Sequence, residues 1–108
     1  MQAPLNLILQ RNKIDALPGL GMEIQIDPHT LERAEERGTT SEEIKDVINS
    51  GTPMPARYGR LGKTKVYDFK QDRHGQYYRQ KKVEVFYTVA RNVIVTVTVY
   101  VFYGQWEG

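Results

Sequence analysis

The sequence predicts an α+β domain, with a helical hairpin at about residues 28–50 packed on a twisted antiparallel β-sheet meander at about 64–103. Three observations carry this. Asn92 to Gly104, NVIVTVTVYVFYG, alternates with a period of two and is dense in β-branched residues, which marks a long strand. Lys82 to Val89 repeats that alternation, and the two runs are separated only by Ala90–Asn92, the spacing of an antiparallel pair. Asp27-Pro28 and Thr40 followed by Glu43, each ahead of a period-3.6 segment, are helix starts, and Gly38 and Gly51 are the matching stops.

In chain order, the spacing of Leu5, Leu7, Ile8, Leu9, Ile14 and Leu17 fits either a helix opened by Pro4 or an extended arm. Met22–Asp27 reads as a short strand. The first helix, Pro28–Arg37, puts Leu31 and Ala34 on one side and His29, Arg33 and Glu36 on the opposite stripe, with Arg37 nearer the flank. In the second helix Ile44, Val47 and Ile48 form the core stripe, and Glu43 completes a capping box.

Thr52–Leu61 is a loop with two prolines. Thr64–Lys70 is a strand, and Gln71–Gly75 is a turn. In the C-terminal strand, Val93, Val95, Val97, Val99 and Val101 are expected to face the helices, and the strand is expected to be central. Thr96, Thr98 and Tyr100 then lie in a row on the other face as the floor of a polar site.

A length of 108 residues suits one domain. No apolar run approaches the roughly 20 residues that span a bilayer, and no secretion signal is visible at the N-terminus. The chain has no cysteine, so disulfides, thiolate metal sites and a cysteine nucleophile are excluded. The net charge of +2 is unevenly spread: residues 57–82 hold nine Lys/Arg against two acids, whereas residues 1–56 hold five against nine. A basic block interleaved with Tyr58, Tyr67, Tyr77 and Tyr78 suits a polyanion with stackable bases, and it also suits a solvated hairpin.

The chain lacks a phosphate-binding glycine loop, HExxH, GxSxG and any acid cluster at metal-ligand spacing, so neither metal nor cofactor is expected. A histidine at a helix start, arginines one and two turns on, and strand hydroxyls remain. These suffice for metal-independent RNA cleavage, in which the 2′-OH attacks the adjacent phosphate and needs a proton acceptor, a proton donor and cations. The 2′-OH requirement points to RNA and not DNA.

The stretch HTLERAEERGTTSEEIKDVINSG, with His29, Arg33 and Arg37 spaced by four, followed by KVEVFY and VIVTVTVY, resembles a family of small domains similar in fold to the ribonuclease toxins grouped with barnase, EndoU, certain colicins and RelE. That group includes C-terminal toxin domains of contact-dependent growth inhibition systems. The resemblance covers roughly residues 28–104, leaving 1–27 as an arm or a remnant of a larger toxin. It implies an endoribonuclease acting on tRNA or other cellular RNA in the cytoplasm, with His29, Arg33, Thr98 and Tyr100 as catalytic residues and Thr96 as a competing threonine.

RNA contacts are expected from Arg37, Arg57, Arg60, Lys63, Lys65 and Tyr67. An acidic immunity or antitoxin protein is the expected partner. The competing readings are a non-catalytic RNA-binding or toxin–antitoxin module of the same fold and, last because its surface block is basic, an immunity protein.

Overall fold

In the computed structural model, residues 22–106 are described, so the expectation for residues 5–17 lies outside them. Seven elements follow in order: β1 (Glu23–Gln25), α1 (Pro28–Arg37), α2 (Ser41–Ser50), β2 (Thr52–Met54), β3 (Leu61–Arg73), β4 (Gln76–Ala90) and β5 (Val93–Gly104). The strands form one sheet in the order β1-β5-β4-β3-β2. The fold is α+β, but the sheet is mixed, because β1 pairs parallel with the first three residues of β5. Its parallel sense follows from connection: β1 leads directly into α1, whose first turn is tied to β5 by a 3.0 Å bond from the Asp27 N–H to the Thr96 hydroxyl. The most central strand is β4, with β5 one place nearer the edge.

The helices start and stop where the sequence marks them. Asp27 accepts from the His29 N–H at 2.9 Å, Pro28 opens α1, and Gly38 closes it in the left-handed region at φ 93°. Thr40 accepts from the Glu43 N–H at 3.1 Å. The capping box stays half made, because the Glu43 carboxylate is taken by the Thr39 hydroxyl and the Lys81 ammonium, both at 2.8 Å.

Each helix packs on the sheet, α1 against β5 and α2 against β3 and β4. Leu31 does not lie on the packing side of α1. It is 43% exposed, whereas Thr30 and Ala34 are buried, because the ties at both ends of the helix rotate that stripe onto β5.

The core joins Ala34, Ile44, Val47 and Ile48 to Val83, Val85, Tyr87, Ile94 and Val99. Burying each of the three α2 side chains is worth about 1.5–3 kcal/mol, so the apolar stripe holds that helix down. A polar link then sets its rotation. Asp46 accepts from Lys65 Nζ at 2.7 Å, from the Tyr67 hydroxyl and from Ser50, while Lys63 Nζ donates to the Ile48 carbonyl at 2.7 Å.

Two extra residues bend the sheet, one on β3 between Asp68 and Gln71 and one on β5 between Thr96 and Thr98. The second divides the valine face. Ile94 and Thr96 point toward the helices before Val97, and Val99 and Val101 do so after it. Thr96 is therefore buried at 3% exposure, while Thr98 and Tyr100 share the opposite face.

Elsewhere the expected loop after α2 begins with β2, and the expected Gln71–Gly75 turn narrows to His74-Gly75, both at positive φ. Arg91 and Asn92 also have positive φ, the pattern of a tight two-residue hairpin loop.

The Lys65 ammonium and the Tyr67 hydroxyl bonded to Asp46 hold its carboxyl down at about 2, below the ordinary value of about 4. A depressed carboxylate contributes stability that is fully present above about pH 4 and lost as pH falls toward 2. The urea midpoint of the wild type should therefore fall across that window more steeply than that of Asp46→Asn. Equal slopes would remove Asp46 from the stability of the α2–β3 link.

Candidate active site

One face of the sheet is covered by α1 and α2, and the other is open. Cross-strand register places three rows on the open face: Gly62, Phe86 and Thr98; Thr64, Glu84 and Tyr100; and Val66, Lys82 and Phe102. At the first row the connection between β2 and β3 walls a cavity of about 290 Å³ lined by Pro55, Ala56, Arg57, Tyr58, Arg60, Phe86, Thr98 and Tyr100. Beside it Gly62 lets Met54 and Phe86 approach closely, since a Cβ there would lie 3.0 Å from both Met54 Cγ and Phe86 Cε1. The loop turns through Tyr58 and Gly59, both at positive φ, and the Arg60 N–H closes it on the Arg57 carbonyl at 3.1 Å. Arg57 and Arg60 thus reach the same cavity from one short turn.

Arg37 reaches the Tyr100 ring from the α1 side. It ends α1, its Nη1 donates to the Val99 carbonyl at 2.7 Å, and its guanidinium carbon lies 5.0 Å from the Tyr100 ring centroid. Val99 faces the helices and Tyr100 faces away, so this side chain reaches around the edge of β5. The way is open because β1 pairs only with residues 93–95. Among the described residues no acid forms a salt bridge with Arg37, whereas Arg33 is paired with Glu36 at 3.0 Å. A guanidinium carries five donors, and the Val99 bond occupies one side of it.

The reach of Arg37 depends on how α1 ends. The Tyr103 hydroxyl donates to the Arg37 carbonyl at 2.6 Å, Arg73 Nη2 to Glu36 at 3.0 Å, and Lys81 Nζ to Gly38 at 2.8 Å. Three consecutive carbonyls at the negative end of the helix are therefore satisfied by sheet donors, two of them cationic. Tyr103 is itself braced by the Arg73 guanidinium 4.7 Å from its ring centroid and by the rings of Phe69 and Tyr78 at 5.1 and 5.6 Å. Partial burial pushes its hydroxyl up from the usual tyrosine range, so it remains a donor.

The structure gathers Arg57, Arg60, Thr98 and Tyr100 around one cavity, with Arg37 against the Tyr100 ring at the β5 edge. It sends Thr96 to the other face, where its hydroxyl accepts from Asp27. Lys63, Lys65 and Tyr67 also face the helices, bonded to α2. His29 and Arg33 stand two turns and one turn before Arg37 on α1. The His29 side chain is 67% exposed, with Nδ1 3.9 Å from Glu32. Its backbone lies within about 12 Å of the Thr96 hydroxyl, given at most ~3.6 Å per residue through Asp27.

Sequence reasoning named Tyr58 among the tyrosines of the basic block but passed over Glu84 and Phe86. The alternation in KVEVFY puts Glu84 and Phe86 opposite the inward valines and was sufficient to find them. Among the described residues no group of three His, Asp or Glu side chains is arranged to hold a metal ion.

No protein-family profile, no curated protein and no solved structure matches the chain.

The anchoring of Arg37 makes Tyr103 a positioning residue. Tyr103→Phe should cost about 1 kcal/mol in urea denaturation, the ordinary worth of one hydrogen bond, and should shift the Arg37 side-chain NMR resonances. An unchanged Arg37 signal would show that the guanidinium is held without this clamp.

Proposed function

We propose that the chain is a toxin-like, metal-independent endoribonuclease working at the open sheet face beside Tyr100. The single observation that carries the reading is Arg37, a cation without an ion-pair partner among the described residues, anchored on a backbone carbonyl and held over a tyrosine ring at a cavity that two further arginines line. Phosphate chemistry needs such a centre, because a dianionic phosphorane in a partly desolvated pocket is stabilised chiefly by preorganised donors.

In this reading Arg37 holds the scissile phosphate, with Arg57 and Arg60 binding its neighbours. Thr98 and Tyr100 line the same cavity. During attack the 2′-oxygen loses a proton and bonds to phosphorus. The bond from phosphorus to the 5′-oxygen breaks, and that oxygen takes up a proton. In this reading the transfers fall to Tyr100 and to Glu84, directly across the β4–β5 pair, with His29 on α1 as the further group that the resemblance implies. The products are a 2′,3′-cyclic phosphate and a 5′-hydroxyl.

The substrate is tRNA or another cellular RNA in the cytoplasm. An acidic immunity or antitoxin protein is the matching inhibitor, covering Arg37, Arg57 and Arg60. Delivery as the C-terminal part of a larger secreted toxin belongs to the same proposal. One observation favours the second reading, a non-catalytic RNA-binding or toxin–antitoxin module: the His29 side chain is solvent-exposed, with Glu32 beside it.

Cleavage of RNA in excess chelator separates the two. Wild type is expected to cut and leave cyclic phosphate ends. Tyr100→Phe should lose about 10²–10⁴ in rate, the usual worth of a proton-transfer group, without change in thermal stability. A parallel loss in His29→Ala would assign the second proton to His29, and retained activity would assign it to Glu84. No cleavage by folded wild type across cellular RNAs would leave the binding-module reading.

A further inference from the structure

The open face continues past the cavity as a row of exposed rings. Tyr100 and Phe102 are successive outward residues of β5, 42% and 45% exposed, and their ring centroids are 6.5 Å apart with planes only 23° apart. Phe86 extends the row at one end, 6.0 Å from Tyr100. Trp106 extends it at the other. Its backbone N–H donates to Gln80 Oε1 at 2.7 Å, folding the chain back after β5, and the indole lies against Gly104, where an added Cβ would come 3.4 Å from Trp106 Cη2.

Large aromatics left in water on one face of a sheet are costly and indicate a ligand. Cations bracket this row: the Arg37 guanidinium stands over Tyr100 and Lys82 Nζ lies 5.0 Å from the Trp106 ring centroid, with Arg57 and Arg60 at the cavity end. The carboxylates of this face, Asp68 and Glu84, sit on β3 and β4, inside the row, so an anionic backbone is kept to the β5 side.

We propose that this face is a binding track for a single-stranded RNA segment, whose bases stack on Tyr100, Phe102 and Trp106 while its phosphates follow Arg37 and Lys82. The track deepens the ribonuclease reading and rests on it for the choice of RNA. A duplex turns its bases inward and offers such rings nothing to stack on, whereas unpaired bases stack on aromatic side chains whatever their sequence. The selected substrate is therefore an unpaired stretch, such as a loop or a tail, extending for two or three nucleotides beyond the phosphate held at Arg37.

Trp106 is the only tryptophan, so its fluorescence reports on the far end of the track. The probe is a 2′-O-methyl oligonucleotide, which cannot be cleaved because its 2′-oxygen is blocked, used single-stranded and annealed to its complement. The single strand is expected to quench Trp106 and the duplex is not. Phe102→Ala should weaken single-strand binding about tenfold or more, the order of one lost base stack, with an unchanged salt dependence, because no phosphate contact is removed.

Saturable binding without quenching, equal affinity for the duplex, or a neutral Phe102→Ala would overturn the track. So would self-association or capture of a protein partner that Phe102→Ala abolishes while oligonucleotide affinity stays unchanged, since that assigns the face to protein contact. The probe is not cleaved, so the two readings fail separately. Quenching by a protein that never cuts unmodified RNA keeps the track and removes the ribonuclease. Cutting with Phe102→Ala kinetics equal to wild type keeps the ribonuclease and removes the track.

Discussion

The grip of the sheet on the last turn of α1 is the interaction on which the rest of the molecule depends. A ten-residue helix is too short to be stable alone in water, and α1 contributes only Thr30 and Ala34 as fully buried side chains. What fixes it is polar. Arg73, Tyr103 and Lys81 each donate to one of three successive carbonyls, and the Asp27 N–H bonds to Thr96 at the opposite end. Those four bonds set the rotation of the helix and so bring Arg37 to the β5 edge. Gly38 is required at the joint twice over: its φ of 93° suits glycine, and a side chain there would collide with the Tyr103 hydroxyl.

The extra residue at Val97 is the second constraint. Without it Thr96, Thr98 and Tyr100 would share a face, and either the core would lose Ile94 or the cavity would lose Tyr100. With it one strand serves both sides: Ile94, Thr96, Val99 and Val101 meet the helices, and Thr98, Tyr100 and Phe102 line the open face. The basic block is divided in a similar way by strand alternation. Lys63 and Lys65 turn inward to α2, whereas Arg57 and Arg60, on the loop before β3, remain at the cavity. Charge density along the sequence thus overstated the cations available to a ligand, since Lys63, Lys65, Arg73 and Lys81 all act as helix tethers.

Both helices, their caps and the three long strands were legible because each is signalled locally, by Asp27-Pro28, Gly38, Thr40, Gly51 and the period-two runs. The site was legible in part. Thr98, Tyr100, Arg37, Arg57 and Arg60 were named from sequence, but the stripe on α1 was drawn through His29, Arg33 and Glu36, with Arg37 on its flank. Helical spacing alone does not say which stripe meets the sheet; the long-range bonds from Tyr103 and Thr96 decide it, and they link residues 66 and 69 positions apart. The bulge left no trace either, since VIVTVTVYV alternates without interruption and any residue in it could have been the extra one. The parallel pairing of β1 was hidden for the same reason, because three residues carry too little pattern to fix a partner.

The central claim is that Arg37 and Tyr100 act as one unit on a phosphate at the open face. A double-mutant cycle on kcat/KM for RNA cleavage, with Arg37→Ala, Tyr100→Phe and the pair, measures it directly. Groups that work together on one transition state are strongly non-additive. The double variant should therefore be little slower than the worse single variant, with all three folded. Losses that multiply independently would contradict the account, as would cleavage that neither substitution slows.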